Sequence, residues 1–183
     1  LMKFVDFYIN KTPVCVSKDG RAAGAKSYMW VYRTGKMHDS AAIVLYEYQK
    51  TRNATHPREF LKDFSGIVVT DGYQVYHLLE KERQDLKIAG CWSHARRRFA
   101  NVVKALGKEK SKGTLAYDAL KQIAAIYKLE GLLAELSPEG RQRQRQLTIK
   151  PMVEAFFAWV KHNYTSVLPK SETGQGFTYC LNQ

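Results

Sequence analysis

The amino-acid sequence predicts an α/β fold in which a mixed five-stranded sheet with flanking helices leads into a helical C-terminal half. Five short segments rich in β-branched and aromatic residues lie within the first 91 residues. From Trp92 onward the apolar residues recur at three- and four-residue steps, the period of amphipathic helices. We therefore expect one domain with a sheet portion, residues 1–91, and a helical portion, residues 92–183, that is incomplete at its C-terminus.

The first three strands are predicted to be antiparallel. Phe4–Val16 reads as a strand with a bend at Pro13, and a turn follows at Asp19-Gly20. Ser27–Arg33 and Ala42–Tyr48 are rich in aromatic and β-branched residues, and the polar link between them contains a glycine. Such a pair, joined by such a link, predicts a hairpin.

The next stretch, Gly66–Tyr73, is the one around which we organise the chain. An unbroken apolar run predicts a strand buried on both faces, and the run stops at Asp71-Gly72. Ligands of open α/β sheets bind outside the carboxyl ends of strands, so Asp71 is placed for chemistry. The alternative is a turn aspartate that satisfies its own backbone. Helices at 57–64 and 73–83 and a fifth strand, Leu86–Cys91, complete the sheet portion.

Composition and charge indicate a folded protein with an anionic partner. The chain is 45% hydrophobic, its formal net charge is +12 and its pI is near 9.6. Nucleic acid is the expected partner, ahead of membrane, although a merely soluble basic surface would have the same composition. There is no apolar run long enough to span a membrane and no signal-peptide pattern. Three scattered cysteines form no disulfide framework, so we expect a cytoplasmic location.

Three sequence motifs and the order of the predicted elements are similar to those of a known family. Three strands followed by helix, strand, helix, strand and further helices is the order of a ribonuclease H-like sheet. The segments Lys26–Gly35, Thr70–Tyr73 and Gly90–Phe99 resemble the transposases of the insertion-sequence-66 family, and the likeness continues through Gly174–Gln183. The resemblance implies a bacterial DDE enzyme of DNA transposition and recombination, associated with the nucleoid and acting as a homo-oligomer on transposon ends and target DNA.

In DDE enzymes two aspartates and a glutamate hold divalent metal, so the resemblance also implies Mg²⁺ or Mn²⁺ as cofactor. Two such ions activate the attacking oxygen, neutralise phosphate charge and stabilise the leaving oxygen. Asp71 matches the second acid and is the expected metal ligand. The opening strand of the family carries Asp-Glu-Thr or similar, whereas Asn10-Lys11-Thr12 stands here. Asn10 removes one negative charge, and Lys11 adds a positive one. Asp6 lies four residues away, roughly 13 Å along a strand, so we interpret it as structural.

The third family acid is expected on the helical segment beyond Gln183. Glu172 lies at a position where the family has a basic or variable residue, so it is not assigned. We therefore expect a DNA transposase catalytic domain that is inactive as written. The alternative is a non-catalytic DNA-binding or assembly fragment of a degenerate transposase.

Cys91 and His94 form a Cys-x-x-His word after the second acid. Two ligands cannot complete a tetrahedral zinc site and no second pair has suitable spacing, so zinc is not expected. By analogy with other DDE transposases the two residues would organise the active site. The alternative, a buried strand end and a helix-start residue, stays open.

The helix that begins at Trp92 is predicted to contact DNA through a basic stripe opposite its apolar face. Such a stripe can follow a phosphate backbone, or it can be a solvated helix face. Trp92 itself can stack on an unpaired base or fill the junction of sheet and helices. The residues of the stripe are His94, Arg97, Arg98, Asn101, Lys104 and Lys108.

Overall fold

The computed structural model describes residues 7–16, 20–22, 24–35 and 42–183. The chain divides into two compact units, Leu1–Cys91 and Trp92–Gln183, at the point where the sequence pattern changes from strands to helical periodicity. Within the described residues no helix is both long and apolar enough to cross a membrane. The predicted start of the first strand with Asp6, the turn residue Asp19 and most of the hairpin link lie outside these residues.

The first unit is built on a five-stranded sheet with the order β3-β2-β1-β4-β5. β2 is antiparallel to both β1 and β3, and β4 is parallel to both β1 and β5. This mixed sheet is the ribonuclease H-like arrangement that the sequence predicts. The strands are β1 (Phe7–Cys15), β2 (Lys26–Thr34), β3 (Val44–Gln49), β4 (Gly66–Thr70) and β5 (Leu86–Gly90), and the helices are α1 (Thr55–Phe60) and α2 (Gln74–Glu82).

Several local predictions differ from the structure. β4 is not buried on both faces, because Ile67 is 44% exposed, and α1 ends at Phe60 rather than at residue 64. β1 pairs with β2 at every residue from Phe7 to Cys15, so the expected bend at Pro13 does not interrupt the strand. Proline lacks an N–H, and β4 has no residue in register with Pro13 because its pairing with β1 ends at Ile9. Helix α1 begins at Thr55, two residues earlier than predicted, since the Asn53 side chain accepts a hydrogen bond from the Thr55 N–H at 3.1 Å.

One face of the sheet is covered by the helices of the same unit. The Tyr32 ring stacks on Phe60 of α1 with centroids 3.5 Å apart, and Trp30 meets Tyr76 of α2 edge to face at 6.3 Å. β1 and β4 are neighbours in the middle of the sheet. This packing therefore holds the backbone of β1 and the end of β4 in place. The buried residues of this core are Ile9, Trp30, Tyr32, Leu61, Val68, Tyr76, Leu79 and Leu86.

The second unit is entirely helical, with a core formed by α3, α5, α7 and α8. Helix α6 begins where the Ser137 hydroxyl accepts a hydrogen bond from the Gly140 N–H at 3.1 Å and Pro138 is the first helical residue. The helices are α3 (Trp92–Leu106), α4 (Lys108–Ser111), α5 (Leu115–Leu132), α6 (Pro138–Gln144), α7 (Lys150–Asn163) and α8 (Glu172–Leu181). A π-helical turn, Arg145–Ile149, precedes α7, and a 3₁₀ turn, Tyr164–Ser166, follows it.

Two glycines of α8 allow close contact with neighbouring segments. A Cβ atom at Gly176 would lie 2.6 Å from the Phe99 ring of α3, and one at Gly174 would lie 2.1 Å from the carbonyl oxygen of Leu168. An aromatic ring can shift by a few tenths of an ångström, whereas a backbone carbonyl held in a turn has less freedom. Both positions therefore require glycine for packing.

We expect Gly176→Ala to lower the free energy of unfolding by about 1–3 kcal/mol, the usual cost of overpacking a core. Gly174→Ala should cost more, because its Cβ meets backbone rather than a side chain. Gly131→Ala is the matched control: nothing lies within 4 Å of the added methyl, so alanine should stabilise α5 by up to about 1 kcal/mol. Urea unfolding followed by circular dichroism measures all three, and a loss at Gly131 equal to that at Gly176 would contradict the packing argument.

Candidate active site

Asp71 lies directly after the central strand β4, where the chain turns toward α2. Gly72 has a φ of 80°, a left-handed conformation that favours glycine. The Tyr73 N–H donates to Asp71 Oδ1 at 3.1 Å, and the Gly72 N–H donates to the Thr70 hydroxyl at 3.3 Å. One carboxylate oxygen therefore makes the turn contact that the alternative interpretation of Asp71 proposed, while the other oxygen stays available for a second partner.

The middle of β1 lies beside the end of β4. The last residues in register are Ile9 and Thr70, and Asn10 and Asp71 follow them on the two parallel strands. Neighbouring strands are about 4.8 Å apart, so the two backbones are close at this edge. The Asn10 side chain is exposed, and its Oδ1 accepts a hydrogen bond from the Lys11 N–H at 2.8 Å. The second partner of Asp71 is Lys11, whose Nζ lies 3.0 Å from Asp71 Oδ2.

The alternation of side chains along β1 explains this partnership. Ile9 is buried in the core face of the sheet, and Lys11, two residues later, projects to the same face opposite Trp30 of β2. Asn10 projects to the opposite face. The Lys11 side chain is only 9% exposed and that of Asp71 only 16%, so the ion pair is largely removed from water.

Three aromatic rings surround the Lys11 ammonium. Its Nζ lies 3.9 Å from the ring centroid of Tyr73, 5.8 Å from that of Tyr76 and 6.0 Å from that of Trp30, which are cation–π distances. Burial lowers the pKa of Lys11 and the charge of Arg52 adds to this effect, whereas Asp71 opposes both. The carboxylate and the rings thus form a cage around a buried cation of the chain itself, and we call Asp71, Trp30, Tyr73 and Tyr76 the Lys11 cage.

The residues at this edge do not fit the pair of divalent ions that the family resemblance implies. Mg²⁺ sites use several hard oxygen ligands, and here the carboxylate of Asp71 is engaged by an ammonium and a backbone N–H, while the Asn10 oxygen accepts from the main chain. Among the residues that the structure describes, no three His, Cys, Asp or Glu side chains lie close enough together to hold a metal ion.

The Cys-x-x-His word spans the two compact units. Cys91 follows β5, and its N–H donates to the carbonyl oxygen of Thr70 at 2.9 Å. His94 lies in the first turn of α3, where its Nδ1 is buried and has no hydrogen-bond partner within the described part of the chain. The site-organising role of both residues stays a prediction. Trp92 packs against Phe156 and Phe157 of α7, with ring centroids 5.6 and 5.9 Å away, inside the helical unit. Its place at the junction of sheet and helices and its stacking on a base both stay predictions.

The basic stripe of α3 is shorter than the sequence predicts. Helix α3 ends at Leu106 and Gly107 adopts a φ of 79°, so Lys108 belongs to the next helix rather than to the same face. Arg98 forms an ion pair with Glu172 at 3.1 Å, which connects α3 to the start of α8. Three of the predicted residues, Arg97, Asn101 and Lys104, are exposed along α3. Lys108 is also exposed.

Sequence reasoning noted the charge of Lys11 but missed its cage. Trp30 lies in a predicted strand and Tyr73 and Tyr76 in a predicted helix, and nothing in those patterns brings the three rings together. The signal that was available is strand parity: in the strand Phe4–Val16, Lys11 alternates in step with Ile9 and must therefore point into the apolar face.

A family model and several curated proteins match the chain. The family model described as "Transposase IS66 family" matches residues 7–183. The chain is 28% identical over 141 residues to the uncharacterized protein y4jD of Sinorhizobium fredii, covering 74% of this chain and 27% of that protein. It is 25% identical over 185 residues to y4qI of the same organism, covering 96% of this chain and 33% of that protein. The chain thus spans about a third or less of the relatives it matches.

No solved structure matches the chain at a significant level. The family match extends over nearly every residue that the structure describes, and it includes both strands of the Asp71 edge and the helix with the basic stripe. The chain belongs to the IS66 family of transposases.

Proposed function

We propose that this chain is a portion of the catalytic core of a DNA transposase, in a form that binds DNA but does not cleave or join it. The observation that carries the proposal is the carboxyl end of β4 beside the central strand β1, with Asp71 following β4. The carboxyl ends of strands are where α/β sheets gather ligands and catalytic groups. Family membership makes DNA the substrate class for that edge.

The charge of the site supports the inactive form. Phosphodiester chemistry by two metal ions requires a concentration of negative charge that offsets about four positive charges. Here one carboxylate is paired with an ammonium at 3.0 Å, and Asn10 is neutral. A metal-dependent reaction at this edge therefore lacks its ligands, and no catalytic step can be derived through Asp71 as the residues stand.

A second candidate function is a non-catalytic DNA-binding or assembly segment of a degenerate transposase. The ion pair between Lys11 and Asp71 favours this second candidate. The loss of one acid would change a single residue, whereas here three aromatic rings also hold a lysine against Asp71. The two candidates differ in what repair achieves: a core in an inactive form regains chemistry when its acids are restored, and a degenerate segment does not.

DNA binding is assigned to the exposed basic residues of α3 and α4. Arg97, Lys104 and Lys108 are exposed, and the structure shows no ion pair for their side chains among the described residues. Phosphate contacts of this kind supply affinity without reading base sequence. Assembly on DNA as a homo-oligomer in the bacterial nucleoid belongs to the same proposal.

Neutralising three of these cations should weaken DNA binding by a similar factor on unrelated sequences and flatten its salt dependence. Each lost phosphate contact lowers the slope of log affinity against log salt by about 0.9, so the slope should fall by roughly 2 to 3. Fluorescence anisotropy with two duplexes over a range of salt concentrations measures both. The variant is Arg97→Gln, Lys104→Gln, Lys108→Gln.

The matched control removes the same charge from exposed lysines elsewhere in the helical unit: Lys128→Gln, Lys161→Gln, Lys170→Gln. Its slope should change by less than half as much. Equal slopes in the two triple variants would show that the basic residues of α3 and α4 form only a solvated surface and that binding follows net charge.

The unmodified chain should give no cleavage or strand-transfer product with cognate element ends and Mg²⁺ or Mn²⁺. Asn10→Asp alone should also give none, because the carboxylate that it restores still lies beside a Lys11–Asp71 pair. Gel analysis of labelled element ends detects product well below one turnover. Asp71→Ala is the control. If the unmodified chain joins DNA and the Asp71→Ala variant joins it as well, this edge takes no part in the mechanism.

A further inference from the structure

We propose that the Lys11 ammonium is a built-in cation that replaces divalent metal at Asp71, so that this chain binds no divalent cation there. The inference deepens the proposed function, since it rests on the edge beside β1 and β4 being the catalytic position. It assigns the loss of metal to a specific occupant. It also predicts that removing this occupant, together with restoring one carboxylate, opens the site.

The first step is the match of charge. Asp71 carries one negative charge, and the Lys11 ammonium at 3.0 Å supplies one positive charge. A divalent ion at the same carboxylate would lie within a few ångströms of the ammonium, in a region where both side chains are largely buried and charges are poorly screened. Repulsion between the two cations therefore opposes metal binding while Lys11 stays in place.

The second step is the occupation of the oxygens. Asp71 Oδ1 accepts from the Tyr73 N–H at 3.1 Å, Asp71 Oδ2 accepts from Lys11 Nζ, and Asn10 Oδ1 accepts from the Lys11 N–H at 2.8 Å. A carboxylate oxygen can accept from a backbone N–H and still bind a cation with its second lone pair, so the contact that excludes a metal is that of Lys11 Nζ on Oδ2. A metal would have to displace this ammonium as well as lose some of its own waters, which Mg²⁺ gives up reluctantly.

The third step is the retention of the ammonium. The ring centroid of Tyr73 lies 3.9 Å from Lys11 Nζ, and those of Trp30 and Tyr76 lie within 6.0 Å. If the ammonium left the site, it would lose three cation–π contacts as well as the ion pair. Trp30 and Tyr76 are fully buried in the core of the first unit. These walls are part of the core of the first unit, and they hold Lys11 against Asp71.

The rings also provide a direct measurement. Tb³⁺ is a hard cation that prefers oxygen ligands, and its luminescence is sensitised by tryptophan and tyrosine nearby. An ion at Asp71 would lie close to three such rings. Titration with Tb³⁺ therefore reports binding at this carboxylate, and the part of the signal that Asp71→Asn removes separates it from acidic residues elsewhere on the surface.

We expect the unmodified chain to show no saturable emission that depends on Asp71. The variant Lys11→Glu should show it, because it removes the ammonium and places a carboxylate on the face that reaches Asp71. Its midpoint should lie at least about 10-fold below the highest Tb³⁺ concentration at which the unmodified chain shows no such emission, the size of effect that changes around metal ligands produce. Adding Asp71→Asn to this variant should abolish it. Arg58→Met is the matched control, because it removes a cation from an exposed ion pair with Glu82 in the same unit and should change nothing.

Asp71-dependent emission from the unmodified chain would overturn the proposal, because Lys11 would then yield its place to metal. A folded Lys11→Glu variant that binds no more tightly than the unmodified chain would also overturn it. Circular dichroism checks folding, and Lys11→Gln replaces the glutamate variant if that variant is unfolded. If both are unfolded, the comparison of the unmodified chain with Asp71→Asn decides.

DNA anisotropy on the same samples keeps the two proposals apart. Loss of DNA binding by the unmodified chain would contradict the proposed function and leave the metal result intact. Metal binding by the unmodified chain would contradict this inference and leave DNA binding intact.

Discussion

The ion pair between Lys11 and Asp71 is the interaction on which the geometry of the proposed site depends. It joins a residue in the middle of β1 to the residue that follows β4. β1 is antiparallel to β2 on one side and parallel to β4 on the other. The pair is largely buried, so its electrostatic effect is stronger than that of the exposed pairs elsewhere, such as Arg58 with Glu82. What this edge can bind is decided by which cation occupies it.

Position in the strand, rather than residue type alone, gives Lys11 this role. The resemblance to the family sets Asn10-Lys11-Thr12 against an opening word of the type Asp-Glu-Thr, so two acids are replaced by an amide and a base. The local charge changes from −2 to +1. A lysine at position 10 would project to the other face of the sheet, whereas Lys11 shares the face of Ile9 and reaches the carboxylate.

The fold was predictable because its signals are local and repeated. Each strand carries its own β-branched and aromatic residues, and the helical period after Trp92 continues through several stripes, so errors at single residues such as Pro13 or Thr55 did not alter the topology. The site was less predictable. The contact between Lys11 and Asp71 joins residues 60 positions apart, and the three rings of the cage come from β2 and from the turn and helix after Asp71. Strand parity was readable in the sequence, but the convergence of three rings on one ammonium was not.

The same limit explains the differences in the helical unit. A periodic stripe predicted that Arg98 and Lys108 share one exposed face, but Arg98 contacts Glu172 on α8 and the glycine at 107 ends α3 before Lys108. Periodicity describes an isolated helix, whereas the partner of a charged side chain is set by whichever helix packs beside it. Glu172, close to the C-terminal family word, is thus a packing partner of α3. The Glu172 carboxylate forms an ion pair with Arg98 within the second unit. This contact gives Glu172 a structural role, and it stays unassigned as a third acid.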